Sequence, residues 1–308
     1  MKTHLLNSLS TCTHTLEDRL HAIVDALGRE ERNLGNNPSG LNRAALFIES
    51  YLERLGMRTQ RQTYSVGISE CFNIEAVSES YLGNHCPHWI IGAHYDSAPG
   101  TPGADDNVSA VAIMLESAFL LSQIPNGLKN FRFVAFTNEE PPYFTTEAMG
   151  SRVHASSCTE SGDHVLGMLC LESLGYFTNE PDSQELPEIV VHKTALPTGT
   201  NTMDPSVGNF LALIADENSK GFLDRFHDAF AEGCSVPLLS AIAPDLRLSD
   251  QFPYWDEGIP ALMLTDTALF RNPNYHRGSD LPETLDYRIM AMITKQVAAS
   301  LLSISNKY

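Results

Sequence analysis

Apolar residues return at helical spacing over residues 15–28, where Leu16, Leu20, Ile23, Val24 and Leu27 share one side and Gly28 stops the run. An Asn-, Gly- and Pro-rich loop, 33–39, precedes a second helix over about 40–55, with Leu41, Ala45, Ile48, Tyr51 and Leu52 as its stripe and Gly56 at its end. The pattern then changes period. Residues 71–78 alternate cleanly, as in Phe72-Asn73-Ile74-Glu75-Ala76, and predict a strand. Residues 57–65 carry β-favouring Thr59, Thr63 and Tyr64 but little apolar alternation among Arg58, Gln60, Arg61 and Gln62, which predicts an edge strand. Short apolar runs at 88–93, 131–136, 165–171, 210–214 and 259–264 predict further strands, the first and the last of them buried. Between them, 108–121, 150–157 and 219–233 read as helices, and 288–302 as a terminal amphipathic helix. Alternating strands and helices predict an α/β three-layer sandwich with a mixed, mostly parallel central sheet. With no repeat and no composition break, residues 1–308 are expected to form a single domain.

Composition adds exclusions. The chain has 38 acidic and 20 basic residues, a net charge of -18, and no Lys/Arg block, so nucleic acid and anionic membranes are poor partners. The six cysteines, Cys12, Cys71, Cys86, Cys158, Cys170 and Cys234, form no C-x-x-C pair and read as reduced core residues; nothing in the sequence supports a disulfide such as Cys71–Cys86. No apolar run approaches the ~18 residues of a membrane span, and polar Asn7, Ser8 and Ser10 break up the N-terminal stretch. The expectation is a soluble, cytoplasmic protein of undetermined oligomeric state.

The chemistry gathers at predicted strand ends. In WIIGAHYDSAPGTPGADDN, residues 89–107, His94 and Asp96 follow a strand, and Asp105 and Asp106 precede a helix. Glu139 and Glu140 follow the strand 131–136, Glu172 follows 165–171, Asp250 precedes 259–264, and His276 lies in the loop after it. Read singly, each has an ordinary explanation as a core histidine or surface charge. Together they crowd the carboxyl ends of the strands, where α/β sheets bind ligands. So many carboxylates repel one another unless cations neutralise them, and two divalent metals with oxygen and nitrogen ligands would do so.

These segments, HYDS at 94–97, GADDN at 103–107, NEE at 138–140, LESLG at 171–175, SD at 249–250 and NYH at 274–276, resemble the co-catalytic zinc aminopeptidase family, which includes glutaminyl cyclases and glutamate carboxypeptidases. The resemblance spans about residues 40–290 and implies the zinc-exopeptidase (phosphorylase/hydrolase-like) sandwich. It implies two Zn2+, or one, held by His94, Asp105, Glu140, Glu172 and His276. Asp105 would bridge, Glu140 and His276 would complete one site, and His94 and Glu172 the other. It implies Asp96 as the residue orienting His94 and Glu139 as general base acting on metal-bound water. A cis peptide between Asp105 and Asp106 is implied too. Two positions depart from the family pattern: Glu172 is often Asp there, and Gln251 is often His.

The expected function is that of an exopeptidase, an aminopeptidase first of all, whose partner is a peptide or amino-acid amide. Two rivals remain at this point: a one-zinc, glutaminyl-cyclase-like acyltransferase and a non-catalytic metal-binding homologue. Metal stoichiometry, pyroglutamate formation and turnover separate the three. Arg271, Arg277 and Tyr275 flank the last ligand loop as candidates for substrate contacts, and Asp250 as an acceptor near the substrate.

Overall fold

Trp89, Ile91 and Ala93 of strand β3 (His88–His94) belong to one apolar cluster and Ile90 to another. Leu169 and Leu171 of β5 (Val165–Glu172) likewise face the first, with Met168 and Cys170 facing the second. Successive strand side chains point to opposite faces, so these apolar runs need cover on both. The computed structural model describes residues 15–185, 187 and 191–305. Within them, β1 (Met57–Val66), β2 (Ser69–Ser78), β4 (Phe131–Phe136), β6 (Val191–Ala195), β7 (Leu211–Ala215), β8 (Leu238–Ile242) and β9 (Ala261–Thr265) join β3 and β5 in one sheet of order β1-β2-β4-β3-β5-β9-β7-β8-β6.

Helices α1 (Leu16–Leu27), α2 (Pro38–Arg54), α3 (Ala110–Ser122), α5 (Lys220–Ala231) and α7 (Tyr287–Ser305) cover one face. Helices α4 (Gly150–Ser161) and α6 (Gln251–Asp256) cover the other. The three-layer α/β sandwich with a mixed sheet is therefore present. Its parallel character is concentrated at the centre: β4-β3-β5-β9 run parallel, as do β7 and β8, while β1/β2, β2/β4, β7/β9 and β6/β8 are antiparallel. β1 is an edge strand, as its polar sequence predicts.

Three elements have no counterpart in the sequence reading. β6 is a polar edge strand without alternation, β8 a short apolar run, and α6 a single short helix with Pro253 in its first turn. Cys71, Cys86, Cys158, Cys170 and Cys234 are all free thiols, so no Cys71–Cys86 bridge forms. Cys12 and the N-terminal stretch fall outside the described residues. Among the described residues, no helix is long and apolar enough to cross a membrane.

Sequence-local signals set the helix starts. Thr15 and Asp18 form a reciprocal capping box on α1, and Asn37 caps α2 ahead of Pro38. One buried ion pair ties the helical layer together. Glu116 of α3, with no exposed side-chain surface, accepts from the Arg19 guanidinium of α1 at 2.8 Å and from the Tyr51 hydroxyl of α2 at 2.8 Å. Removing one member strands a buried charge. Arg19→Met is expected to lower unfolding free energy by about 3–5 kcal/mol, read from the urea midpoint; a loss under about 1 kcal/mol, as for a surface pair, would contradict that.

Candidate metal centre

The four parallel central strands end on the same side, and the chain turns sharply after three of them. Asn138, just after β4, and Ser173, just after β5, have φ of 57° and 41°; His276, in the loop after β9, has φ of 54°. Non-glycine residues in this left-handed region are uncommon and concentrate at functional sites. The β4 loop is closed at its base. The Thr137 amide donates to Asn73 Oδ1 at 3.1 Å, Asn73 Nδ2 donates to the Gly150 carbonyl at 2.8 Å, and the Gly150 amide donates to the Thr137 carbonyl at 2.9 Å. A Cβ at residue 150 would lie 2.3 Å from both Asn73 Oδ1 and the Thr137 carbonyl, so only glycine fits this closure.

Asp96, two residues beyond His94, organises the neighbouring loop. Its Oδ1 accepts from the Glu139 amide at 3.2 Å and its Oδ2 from the Glu140 amide at 3.1 Å. Its Oδ1 also lies 3.5 Å from His94 Nδ1. One carboxylate thus fixes the backbone of both glutamates and faces the far nitrogen of the imidazole.

The carboxylate at the middle is Asp106. Its Oδ1 lies 3.3 Å from His94 Nε2 and its Oδ2 lies 3.1 Å from His276 Nε2. His276 Nε2 is also 3.0 Å from Glu140 Oε2, and His94 Nε2 is 3.3 Å from Glu172 Oε2 and 3.8 Å from Glu139 Oε2. The cluster therefore has two halves, Glu140 with His276 and His94 with Glu172, each facing a different oxygen of Asp106. One ligand atom each from His94, Asp106 and Glu140 falls within 4.8 Å of the others.

This corrects the expectation for Asp105. Its Oδ1 accepts from the Gly175 amide at 2.8 Å and its Oδ2 from Asn272 Nδ2 at 2.7 Å, so both oxygens are committed to the supporting structure. The non-proline cis peptide likewise joins Asp106 to Asn107, one bond later than the resemblance implies. Residues 104–109 form an irregular turn, with Asp106 at φ -102° and ψ 88°, and it is this turn that sends Asp106 toward the histidines. The helix begins after it, at Ala110.

Burial and like charge dominate the electrostatics. Burial pushes the Glu139 carboxyl well above the usual range, with His94 pulling the other way and Glu140 and Glu172 adding to the rise. Burial and Asp106 raise Glu140 to about 8. For His276, burial opposes the charged ring, but hydrogen bonds with Asp106 and Glu140 outweigh it and lift the pKa to about 10. His94 is raised as well, against burial, by Glu139 and Glu172. Asp106 is held low despite its burial by contacts with His276 and His94. Such a cluster draws positive charge to itself.

The donor set fits a divalent metal. Both ring nitrogens of His94 and Oε1 of Glu140 are buried without a hydrogen-bond partner. Buried polar atoms are normally paired, and neutral imidazole with carboxylate oxygens suits zinc. Glu172 is itself steadied by the Ser173 hydroxyl at 3.0 Å and the Ser249 hydroxyl at 2.6 Å.

Residues 80–301 match the sequence model of peptidase family M28. The chain belongs to peptidase family M28. As a member of that family it is a metallopeptidase of α/β fold. The Escherichia coli K12 protein described as "Uncharacterized protein YfbL" is 34% identical over 305 residues, covering 94% of this chain and 88% of its own. The zinc aminopeptidase BSAP from Bacillus subtilis superposes with a TM-score of 0.69 at 14% identity, over 92% of this chain and 94% of its own. A Porphyromonas gingivalis glutaminyl cyclase superposes with a TM-score of 0.68 at 17% identity, over 96% and 100%. At these identities the two structures establish the shared fold.

Other sequence candidates take different places. Asp250 and Gln251 are wholly buried; burial raises Asp250 to about 7, and the Gln251 amide donates to the Leu246 carbonyl at 2.9 Å. Arg271 is buried and donates to Gln184 Oε1 at 2.7 Å and the Phe210 carbonyl at 2.8 Å, which is a structural post. Tyr275 stacks on His276 with centroids 4.0 Å apart. Asp280 accepts the amides of Asp105 at 2.9 Å and Asp106 at 3.1 Å, a support that a lone Asp in a Gly-Ser-Asp loop does not announce in sequence.

Proposed function

We propose that this chain is a zinc-dependent aminopeptidase that removes apolar N-terminal residues from peptides or small amides. The observation that carries the reading is Asp106 facing two histidines with its two oxygens. Asp106, Glu140 and His276 would hold one zinc; the other Asp106 oxygen, His94 and Glu172 would hold a second. Zinc bound there supplies Lewis acidity, polarising the scissile carbonyl and lowering the pKa of water.

The chain's own residues do the rest. Glu139, with its carboxyl raised and its backbone fixed by Asp96, accepts a proton from the attacking water and delivers it to the leaving nitrogen as the C–N bond breaks. Tyr275, kept protonated chiefly by burial and then by Asp106, is a donor for the developing oxyanion. An apolar cavity beside Glu172 and Tyr275, walled by Ala212, Ile214, Leu246, Met263, Leu269 and Phe270, suits an uncharged side chain. The surrounding carboxylates suit a cationic α-amine. Glu172 beside His94 favours hydrolysis with two metals over one-zinc cyclisation.

The test is release of free amino acid from leucyl, methionyl, phenylalanyl, glutamyl and lysyl amides and short peptides. Apolar substrates are expected to exceed charged ones in kcat/KM by about 10-fold or more, since burying an unpaired charge costs far more than 1.4 kcal/mol. A chelator should abolish turnover and added zinc restore it. No turnover across the panel by zinc-loaded protein, or pyroglutamate from glutaminyl peptides, would overturn the proposal.

A further inference from the structure

Arg32 sits in the turn between α1 and α2, far in sequence from every residue of the centre, and only 1% of its surface is exposed. Its guanidinium donates five hydrogen bonds, all to main-chain carbonyls. Nε reaches the Tyr95 carbonyl at 3.0 Å, Nη2 the Gly103 carbonyl at 3.1 Å, and Nη1 the carbonyls of Pro102, Leu27 at 2.7 Å and Glu30 at 3.0 Å. Three of these acceptors, Tyr95, Pro102 and Gly103, lie in the loop that leaves His94 and returns at Asp106. The backbone of Arg32 holds the same loop a fourth time: its amide donates to the Ser97 hydroxyl at 2.9 Å and its carbonyl accepts from the Ser97 amide at 2.8 Å.

The charge matters as well as the fork. Among the described residues no carboxylate is hydrogen-bonded to this guanidinium, yet Asp96, Asp280, Asp106 and Glu140 all act on it through space, against the burial that pulls its pKa down to about 10. A buried cation without a direct ion pair is costly. Here it lies near four buried carboxylates, Asp96, Asp106, Asp280 and Glu140, and offsets repulsion among them. Gly103 is part of the same fitting: at φ 59°, a Cβ there would come within 2.3 Å of the Asp106 carbonyl and 3.1 Å of Arg32 Nη2.

We infer that Arg32 is a positioning residue of the metal centre: it shapes the loop between His94 and Asp106 so that the two ligands meet, and places a fixed positive charge near the carboxylates of Asp96, Asp106, Asp280 and Glu140. This rests on the proposed zinc site for its ligand and on the loop geometry and the fixed charge for its mechanism. Lysine keeps the charge but cannot supply the planar fork, so Arg32→Lys separates shape from charge and Arg32→Met removes both.

The measurements are zinc affinity by competition with a chromophoric chelator, kcat and KM at saturating zinc, and amide hydrogen exchange across residues 97–106 of the metal-free protein. Both variants are expected to bind zinc about 10–100-fold more weakly, as when outer-shell partners of a metal ligand are lost. Both should exchange faster across the loop, with the larger zinc loss in Arg32→Met and KM little changed. A purely structural arginine would lower thermal stability and leave the zinc affinity of the folded protein unaltered. A folded variant with parental affinity, or with parental exchange protection, overturns the inference. Should Arg32→Met fail to fold, Arg32→Lys carries the test alone, and unaltered exchange and affinity there overturn the inference equally. A parent protein that binds no zinc would defeat the proposed function, while the exchange data still decide the role of Arg32 in the loop.

Discussion

Glu139→Gln is expected to give a folded protein that binds zinc like the parent and hydrolyses leucyl amides about 10²–10⁴-fold more slowly, the usual contribution of a positioned general base. The amide is close to isosteric and keeps its backbone hydrogen bond to Asp96, so position is preserved and proton acceptance is lost. Glu139 also faces His94 at 3.8 Å, farther than any residue assigned here as a ligand. The check is kcat beside metal content from the same preparation. Turnover within a few-fold of the parent would remove Glu139 from its role, and loss of zinc would place it among the ligands instead.

The second large effect separates two adjacent residues of the same chemistry. Asp106→Asn is expected to lose more zinc affinity than the about 10–100-fold typical of an outer-shell change, and turnover with it, because the carboxylate facing both halves of the centre disappears. Asp105→Asn removes charge from a residue that accepts from Gly175 and Asn272, so its loss is expected to stay within that outer-shell range. Calorimetric titration of both proteins with zinc makes the comparison. The reverse ranking would return the bridging role to Asp105.

That reversal shows where sequence stops being legible. The run GADDN identifies an acidic turn at the end of the β3 loop, and its place before a helix is plain from Val108 onward. Which carboxylate faces the histidines depends on backbone dihedrals within 104–109 that identical neighbouring side chains do not encode. His94, Asp96, Glu139, Glu140, Glu172 and His276 were legible because strands announce themselves by apolar runs, and parallel strands deliver whatever follows them to one edge. The structure brings all six there.

Arg32 and Asp280 were not legible, since each acts on main-chain groups and no side-chain pattern marks that work. β6 escaped because Val-His-Lys-Thr-Ala has no period at a half-exposed edge, and α6 because its run, with Pro253 in the first turn, is too short to show one. The long helices and the central strands were read within a few residues of their ends, as expected where burial on one or both faces fixes the pattern.

The Asn73–Thr137–Gly150 fastening has a consequence for how such a molecule can diverge. Residues 138–149 leave and re-enter the body at one point, so the excursion resembles a handle with a welded stem. Asp96 pins its first residues, Phe144 packs on Phe252 and Tyr64 holds the Ala148 carbonyl, which leaves 145–147 as its exposed tip. Lengthening a flexible tip costs only about 0.6 kcal/mol per doubling, and nothing at the stem need move. Insertions around 145–147 are thus the economical route by which a descendant enzyme admits bulkier molecules while the acid–base apparatus stays where it is.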